Sequence, residues 1–188
     1  MSAHPTAAPQ PADDAAEASQ RVVVMGVAGC GKTTVGQLLA AHLRGGFVDG
    51  DMFHSEANVS KMRSGVALND ADRQPWLQHI SAELRQAAQE DRTLVIGCSA
   101  LKRSYRDLIR GAGLQVTFIH LHGSRELLTE RLHTRPGHFM PASLLDSQLA
   151  TLEMLGPDES GRVLDISAPA GDLARQAHRW VVSGSAHS

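Results

Sequence analysis

An α/β fold built on a parallel sheet is the fold class this sequence predicts, and three observations lead to it. After Arg21 the chain alternates five short apolar runs, rich in β-branched residues, with six segments of helical spacing. The first run, RVVVM, enters the loop GVAGCGKT, which in turn opens a helix. Hydrophobic residues make up 42% and charged residues 20% of the 188 positions, enough apolar surface for one substantial core.

The strands fall at Val22–Gly26, Phe47–Asp49, Thr93–Cys98, Val116–Leu121 and Arg162–Ile166. The helices fall at Lys32–Leu43, Asp72–Glu90, Lys102–Arg110, Ser124–Thr134, Pro141–Leu152 and about Ala170–Val182. In the first helix Val35, Leu38, Leu39 and Leu43 share a face; in the second, Trp76, Leu77, Ile80, Leu84 and Ala88 do. Pro75 suits the first turn of that second helix, where a missing N–H costs nothing. Ser124 reads as an N-cap. Connections of this kind are right-handed, and ligands bind at the carboxyl ends of the strands.

Residues 1–20 are Ala/Pro-rich, with no large apolar side chain after Met1, and predict a disordered extension. They carry Asp13, Asp14 and Glu17 but no Lys or Arg, unlike a transit peptide, and lack the apolar core of a secretory signal. Residues 21–183 form a single domain, and 184–188 fray. A net charge of -2 gives no case for nucleic-acid binding, and no apolar run is long enough to span a membrane. Two cysteines, Cys30 and Cys98, make neither a disulfide framework nor a zinc site, so the expected location is cytoplasmic.

GVAGCGKT fits G-x-x-x-x-G-K-[ST]. Gly26, Gly29 and Gly31 let the backbone amides of Val27, Ala28, Cys30 and their neighbours close around phosphate oxygens. Lys32 brings a charge to the β- and γ-phosphates, Thr33 can ligate Mg²⁺, and Thr34 continues the amide run. Cys30, near a helix N-terminus, is expected to have a somewhat acidic thiol. The second strand ends in Asp49-Gly-Asp51. On an extended segment this spacing turns both carboxylates to one side, one for magnesium and one for a proton; a polar Asp-Gly turn is the plainer reading. The next stretch holds His54, Lys61, Arg63, Asp70, Asp72 and Arg73, cations and acids that suit a small anionic polyol. Lys102, Arg103 and Arg106 open a helix whose N-terminus repels them, which favours a ligand for at least one. Arg131, Arg135 and His138 surround a Pro-Gly break like that of a closing lid. His120 and His122 share a strand face but lack a third metal ligand.

Several of these strings resemble the gluconokinase family of P-loop kinases, relatives of shikimate kinase. They are GVAGCGKTT (26–34), DGDMFH (49–54), NVSKMRSGVALNDADRQPWL (58–77), CSALKRSYRDLIR (98–110) and RLHTRPGHFM (131–140), with QLATLEMLGPDES (148–160) a looser match. The resemblance implies a three-layer α/β/α P-loop kinase fold, a mainly five-stranded parallel sheet and a mobile lid at about 131–142. It implies ATP-dependent phosphorylation of D-gluconate to 6-phosphogluconate, with Mg²⁺. Under it Lys32, Asp51, Arg131 and Arg135 are catalytic, and Gly26–Thr34 with Arg131 bind the nucleotide. Thr33 and Asp49 hold the metal. Asp51, His54, Lys61, Arg73, Lys102, Arg103 and His138 meet the substrate. A homodimer is a further implication. Ala67 and Met154 depart from the family, standing where proline is usual. A kinase of another small hydroxylated acid, such as shikimate, or a regulatory nucleotide-binding switch are the competing readings; no N-K-x-D signature supports the switch.

Overall fold

A computed structural model describes residues 18–134 and 142–184. Residues 1–17, Arg135 and His138 of the expected lid, and the final four residues lie outside the described residues. The strands are β1 (Arg21–Met25), β2 (Gly46–Asp49), β3 (Leu94–Gly97), β4 (Thr117–His122) and β5 (Gly161–Asp165). The helices are α1 (Lys32–His42), α2 (Glu56–Arg63), α3 (Asp70–Gln89), α4 (Arg103–Arg110), α5 (Arg125–Thr134), α6 (Ala142–Thr151) and α7 (Ala170–Gly184). A 3-10 turn spans Gly50–Phe53.

The five strands lie in the order β2-β3-β1-β4-β5, and every pairing is parallel. Strand β1 is the middle strand and is buried on both faces. Val22 and Val24 pack with α1 and α7 residues such as Leu39, Leu173 and Ala177. Val23 and Met25 point the other way, onto Trp76, Ile80 and Leu84 of α3 and Ile109 of α4. The period-2 alternation of a strand thus serves two helical layers, and the continuous apolar run of β1 is what burial on both sides demands.

Three boundaries differ from the sequence reading. Gln20 belongs to the fold rather than the extension: its N–H donates to Thr93 Oγ1 (3.0 Å) and its carbonyl accepts from Leu94 N–H (2.8 Å). Helix α3 starts two residues early because Asn69 forms a reciprocal capping box with Asp72. Pro75 therefore sits in the second turn, inside the helix, where its ring removes one backbone hydrogen bond. Helix α2 went unread because it has little apolar periodicity. Ser55 caps it, and buried Asn58 donates through Nδ2 to the Asp72 carbonyl (2.7 Å), docking it on the start of α3. Ser124 caps α5 as expected, accepting from Leu127 N–H.

One buried ion pair holds the loops at this end of the sheet. Arg106, fully buried on α4, makes a bidentate pair with Glu159 (2.7 and 2.8 Å). Its guanidinium also donates to the carbonyls of Ala100, Leu101, Glu153 and Met154. Burial opposes the charge on Glu159. The hydrogen bonds from Arg106 and Gly156 N–H outweigh it and hold the carboxyl below its usual range. Arg106 is thus a structural cation rather than a ligand for substrate. Arg106→Ala strands a buried carboxylate and should cost about 3–5 kcal/mol in urea unfolding. The double replacement Arg106→Met with Glu159→Leu should cost far less; equal losses would refute this account.

Candidate active site

Gly26 brings the phosphate loop tight against β4. Its φ is +139°, and a Cβ there would lie 2.5 Å from the Leu121 carbonyl oxygen. The loop then turns over the end of β1 into α1. Lys32 folds back along it, Nζ donating to the Gly26 and Val27 carbonyls (3.0 and 3.1 Å). Cys30 is completely buried beneath the loop, and its N–H donates to the Val27 carbonyl (3.4 Å). Contrary to the acidic thiol expected, desolvation pushes its pKa up against the opposing charge of Lys32. Cys98, also buried, is pushed up to about 12.

Asp49 and Asp51 do not share an extended segment. Asp49 ends β2 and caps the 3-10 turn, accepting from Asp51 N–H (3.1 Å) and from the Thr33 hydroxyl (3.0 Å). Asp51 lies within the turn, and its carboxylate makes no hydrogen bond among the described residues. Gly50 permits this turn to press on β3, since a Cβ there would meet the Gly97 carbonyl at 2.5 Å. The buried Trp76 indole N–H donates to the Gly50 carbonyl (2.7 Å), tying α3 to the residue just before Asp51. The ring of His54 stacks on Trp76, with centroids 4.2 Å apart. Burial lowers the His54 pKa against the opposing charge of Asp51, with Arg73 adding a smaller lowering, and so favours the neutral imidazole.

These groups line one cleft of about 1080 Å³. It contains Lys32, Thr33, Thr34 and Arg131 together with Asp49, Asp51, His54, Arg73 and Lys102. Arg131 donates to the Ile166 carbonyl (2.6 Å) and lies beside Gly31 of the phosphate loop. Across the cleft, Lys102 is clamped on Asp70 (2.8 and 2.9 Å), and the Tyr105 hydroxyl donates to the same carboxylate. The Tyr105 ring lies under both cations, 5.7 Å from Arg73 and 5.3 Å from Lys102. Arg73 forms no ion pair among the described residues, and its Nε donates only to the Leu68 carbonyl.

Two expected substrate residues are not brought to the cleft wall. Arg103 is held bidentately by Asp158 (2.8 and 2.6 Å), and Lys61 is paired with Asp72 (2.7 Å). Their charges are neutralised locally: Lys61 braces α2 against α3, and Arg103 braces α4 against the loop before β5. The sequence reading did not single out Tyr105 or Gln148 and read Asp70 only as part of a polar stretch. All three line the cleft, and each lies in one of the strings that carried the family resemblance.

The chain is similar to known proteins along most of its length. A family model described as shikimate kinase matches residues 28–152. A gluconokinase of Gluconobacter oxydans is 53% identical over 138 residues, covering 73% of this chain and 78% of the relative. The chain belongs to the gluconokinase family. Among solved structures, a gluconokinase from Sinorhizobium meliloti superposes with a TM-score of 0.75 at 41% identity. That match covers 89% of this chain and 91% of the other. A sugar kinase from Janibacter sp. is similar too: TM-score 0.83, 45% identity, 89% of this chain and 98% of that one. In this gluconokinase-family chain Arg106 holds the carbonyls of Glu153 and Met154, while Glu153 N–H donates to the Leu101 carbonyl. Among the described residues no helix is long and apolar enough to cross a membrane.

His120 is a structural residue of β4. It is fully buried, both ring nitrogens lack a hydrogen-bond partner among the described residues, and its nearest ring neighbour is His122 at 5.4 Å. Burial, with the charges of His122 and Arg106, lowers its pKa from 6.5 to about 4. The unfolded chain therefore binds a proton that the native state refuses. Stability should fall as pH drops from 6.5 towards about 4, by at most about 1.4 kcal/mol per pH unit. Subtracting the urea-unfolding profile of His120→Met from that of the wild type should isolate this slope. Parallel profiles would show that His120 does not titrate in this way.

Proposed function

We propose that this chain transfers the γ-phosphoryl group of ATP to the terminal hydroxyl of D-gluconate, releasing ADP and 6-phosphogluconate. One observation carries the reading. The cleft wall holds three cations without a carboxylate partner among the described residues. Lys32 and Arg131 stand at the phosphate loop, and Arg73, on α3, lines the same cleft with its guanidinium 5.7 Å from the Tyr105 ring. Two anionic ligands, one a polyphosphate and one a small acid, match that distribution. The cleft volume is at the upper end of what a single small ligand needs, which leaves space for both.

Lys32 exchanges its carbonyl contacts for phosphate oxygens, and Arg131 flanks the nucleotide from α5. The hard-oxygen pair of Thr33 and Asp49 fits Mg²⁺. The metal adds charge neutralisation at the phosphates. Arg73 takes the gluconate carboxylate in a bidentate pair, supported from below by Tyr105. His54, neutral, offers hydrogen bonds to hydroxyls without adding charge. Asp51 has a free carboxylate, receives the hydrogen bond of the attacking hydroxyl and takes its proton as the oxygen bonds to phosphorus. Arg135 and His138 are assigned to a lid that closes over the transfer, and a homodimer working in the cytoplasm completes the proposal.

Asp51→Asn should lower turnover by about 10²–10⁴ while the Kd for ATP stays within a few-fold. A matching loss of ATP affinity would move Asp51 to the metal. In an ADP-release assay over sugar acids, shikimate and nucleotides, gluconate should exceed analogues lacking its hydroxyls by factors on the order of 10⁴. Gluconate at background would refute the assignment.

A further inference from the structure

Helix α6 turns one face to the cleft, carrying Leu144, Ser147, Gln148 and Thr151 at helical spacing. Gln148 reaches farthest. Its Oε1 accepts a hydrogen bond from the Ala28 N–H of the phosphate loop at 2.7 Å, across 120 positions of sequence. A backbone N–H can only donate, so the amide oxygen must face it; the flipped side chain would set donor against donor. The orientation of the carboxamide is therefore fixed, and Nε2, with two hydrogens, is turned away from Ala28. No partner engages Nε2 among the described residues, although the residue lines the cleft.

The side chain sits between two parts of the cleft wall. On one side lies the phosphate loop, with Lys32 Nζ on the carbonyls of Gly26 and Val27, immediately before Ala28. On the other, α6 runs into the acceptor wall. Glu153 N–H donates to the Leu101 carbonyl (2.8 Å), and the Glu153 carboxylate accepts from Arg103 N–H (2.6 Å), bracketing Lys102. Gln148 lies five residues before Glu153, on the face of α6 that lines the cleft.

We propose that Gln148 is a contact residue of the transfer site, its Nε2 hydrogens donating to a peripheral oxygen of the phosphoryl group in transit. This rests on the kinase reading above. As the bond from phosphorus to the ADP oxygen breaks and the bond to the acceptor oxygen forms, negative charge spreads over the phosphoryl oxygens. The acceptor's proton leaves to Asp51, and Gln148 gains and loses none. A neutral donor whose other end is anchored to the loop needs little reorganisation to meet that charge, and it does not compete with Asp51 for the proton.

Two variants separate anchoring from donation. Gln148→Glu keeps an acceptor for Ala28 N–H but has no donor hydrogens, and Gln148→Ala has neither. Both are to be compared with wild type in kcat, KM and melting temperature. Each is then titrated with ADP alone, and with ADP plus aluminium fluoride and gluconate as a mimic of the phosphoryl in transit. Both variants should lose kcat by about 10²–10³. The aluminium fluoride complex should weaken by a similar factor, with the affinity for ADP alone unchanged within a few-fold. A Gln148→Glu enzyme with wild-type kcat overturns the proposal, as does an equal loss of ADP and ADP–aluminium fluoride affinity, which would reduce Gln148 to a latch. Wild-type turnover on a different acid would remove only the gluconate assignment, and the variants would be compared with that acid instead. A wild type inactive on every acceptor would remove the kinase reading itself.

Discussion

Parallel register along three neighbouring strands aligns the parts of this cleft. Gly97 of β3 lies opposite Val24 of β1 on one side and opposite Asp49 of β2 on the other. The three strands therefore end at one level. The phosphate loop, the Asp51 turn and the Ser99–Lys102 segment leave those ends side by side. Small residues make the close approach possible, since Gly26 lies against the Leu121 carbonyl and Gly50 against that of Gly97. A one-residue slip in either pairing would turn β-strand side chains to the opposite layer and separate the acid from the loop.

Around that level the charges are divided between two tasks. Lys61, Lys102, Arg103 and Arg106 are each held by a carboxylate from another segment of the chain. The exposed pairs contribute little to stability, whereas the buried Arg106–Glu159 pair fixes the backbone of two loops at once. Lys32, Arg73 and Arg131 carry no such partner among the described residues. A cation kept facing a cleft without a counter-ion is unfavourable in the free protein and favours an anion there. That asymmetry is why the ligand side of the site can be read from the protein alone.

The neutral groups are used in the same double fashion. Trp76 places its N–H on the Gly50 carbonyl and its face on His54, so one side chain positions both the acid-bearing turn and the imidazole. Tyr105 commits its hydroxyl to Asp70 and its ring to two cations. Rigid apolar bodies with a single polar handle suit such positions because they fix geometry with few torsions to freeze.

Among the described residues, sequence by itself determined the five strands, six of the seven helices and the phosphate loop, because each is a local pattern: period 2, period 3.6, or glycine at fixed offsets; it placed Asp49 and Asp51 on one extended segment where the structure has a 3-10 turn. It missed α2, which is held on the fold by the buried amide of Asn58 and the Lys61–Asp72 pair rather than by an apolar stripe, and it began α3 late, since Asn-Asp-Ala-Asp offers more than one cap. The division of the cations was decided only in three dimensions. Lys61, Arg73, Lys102 and Arg103 are alike in composition and context, and what distinguishes them is which carboxylate the packing of α2, α3, α4 and the loop before β5 brings within reach. Gln148 was illegible for the same reason, since its partner is a backbone amide 120 residues away. Local propensity specifies where elements begin and end; which charges stay free for a ligand depends on contacts between elements distant in the chain.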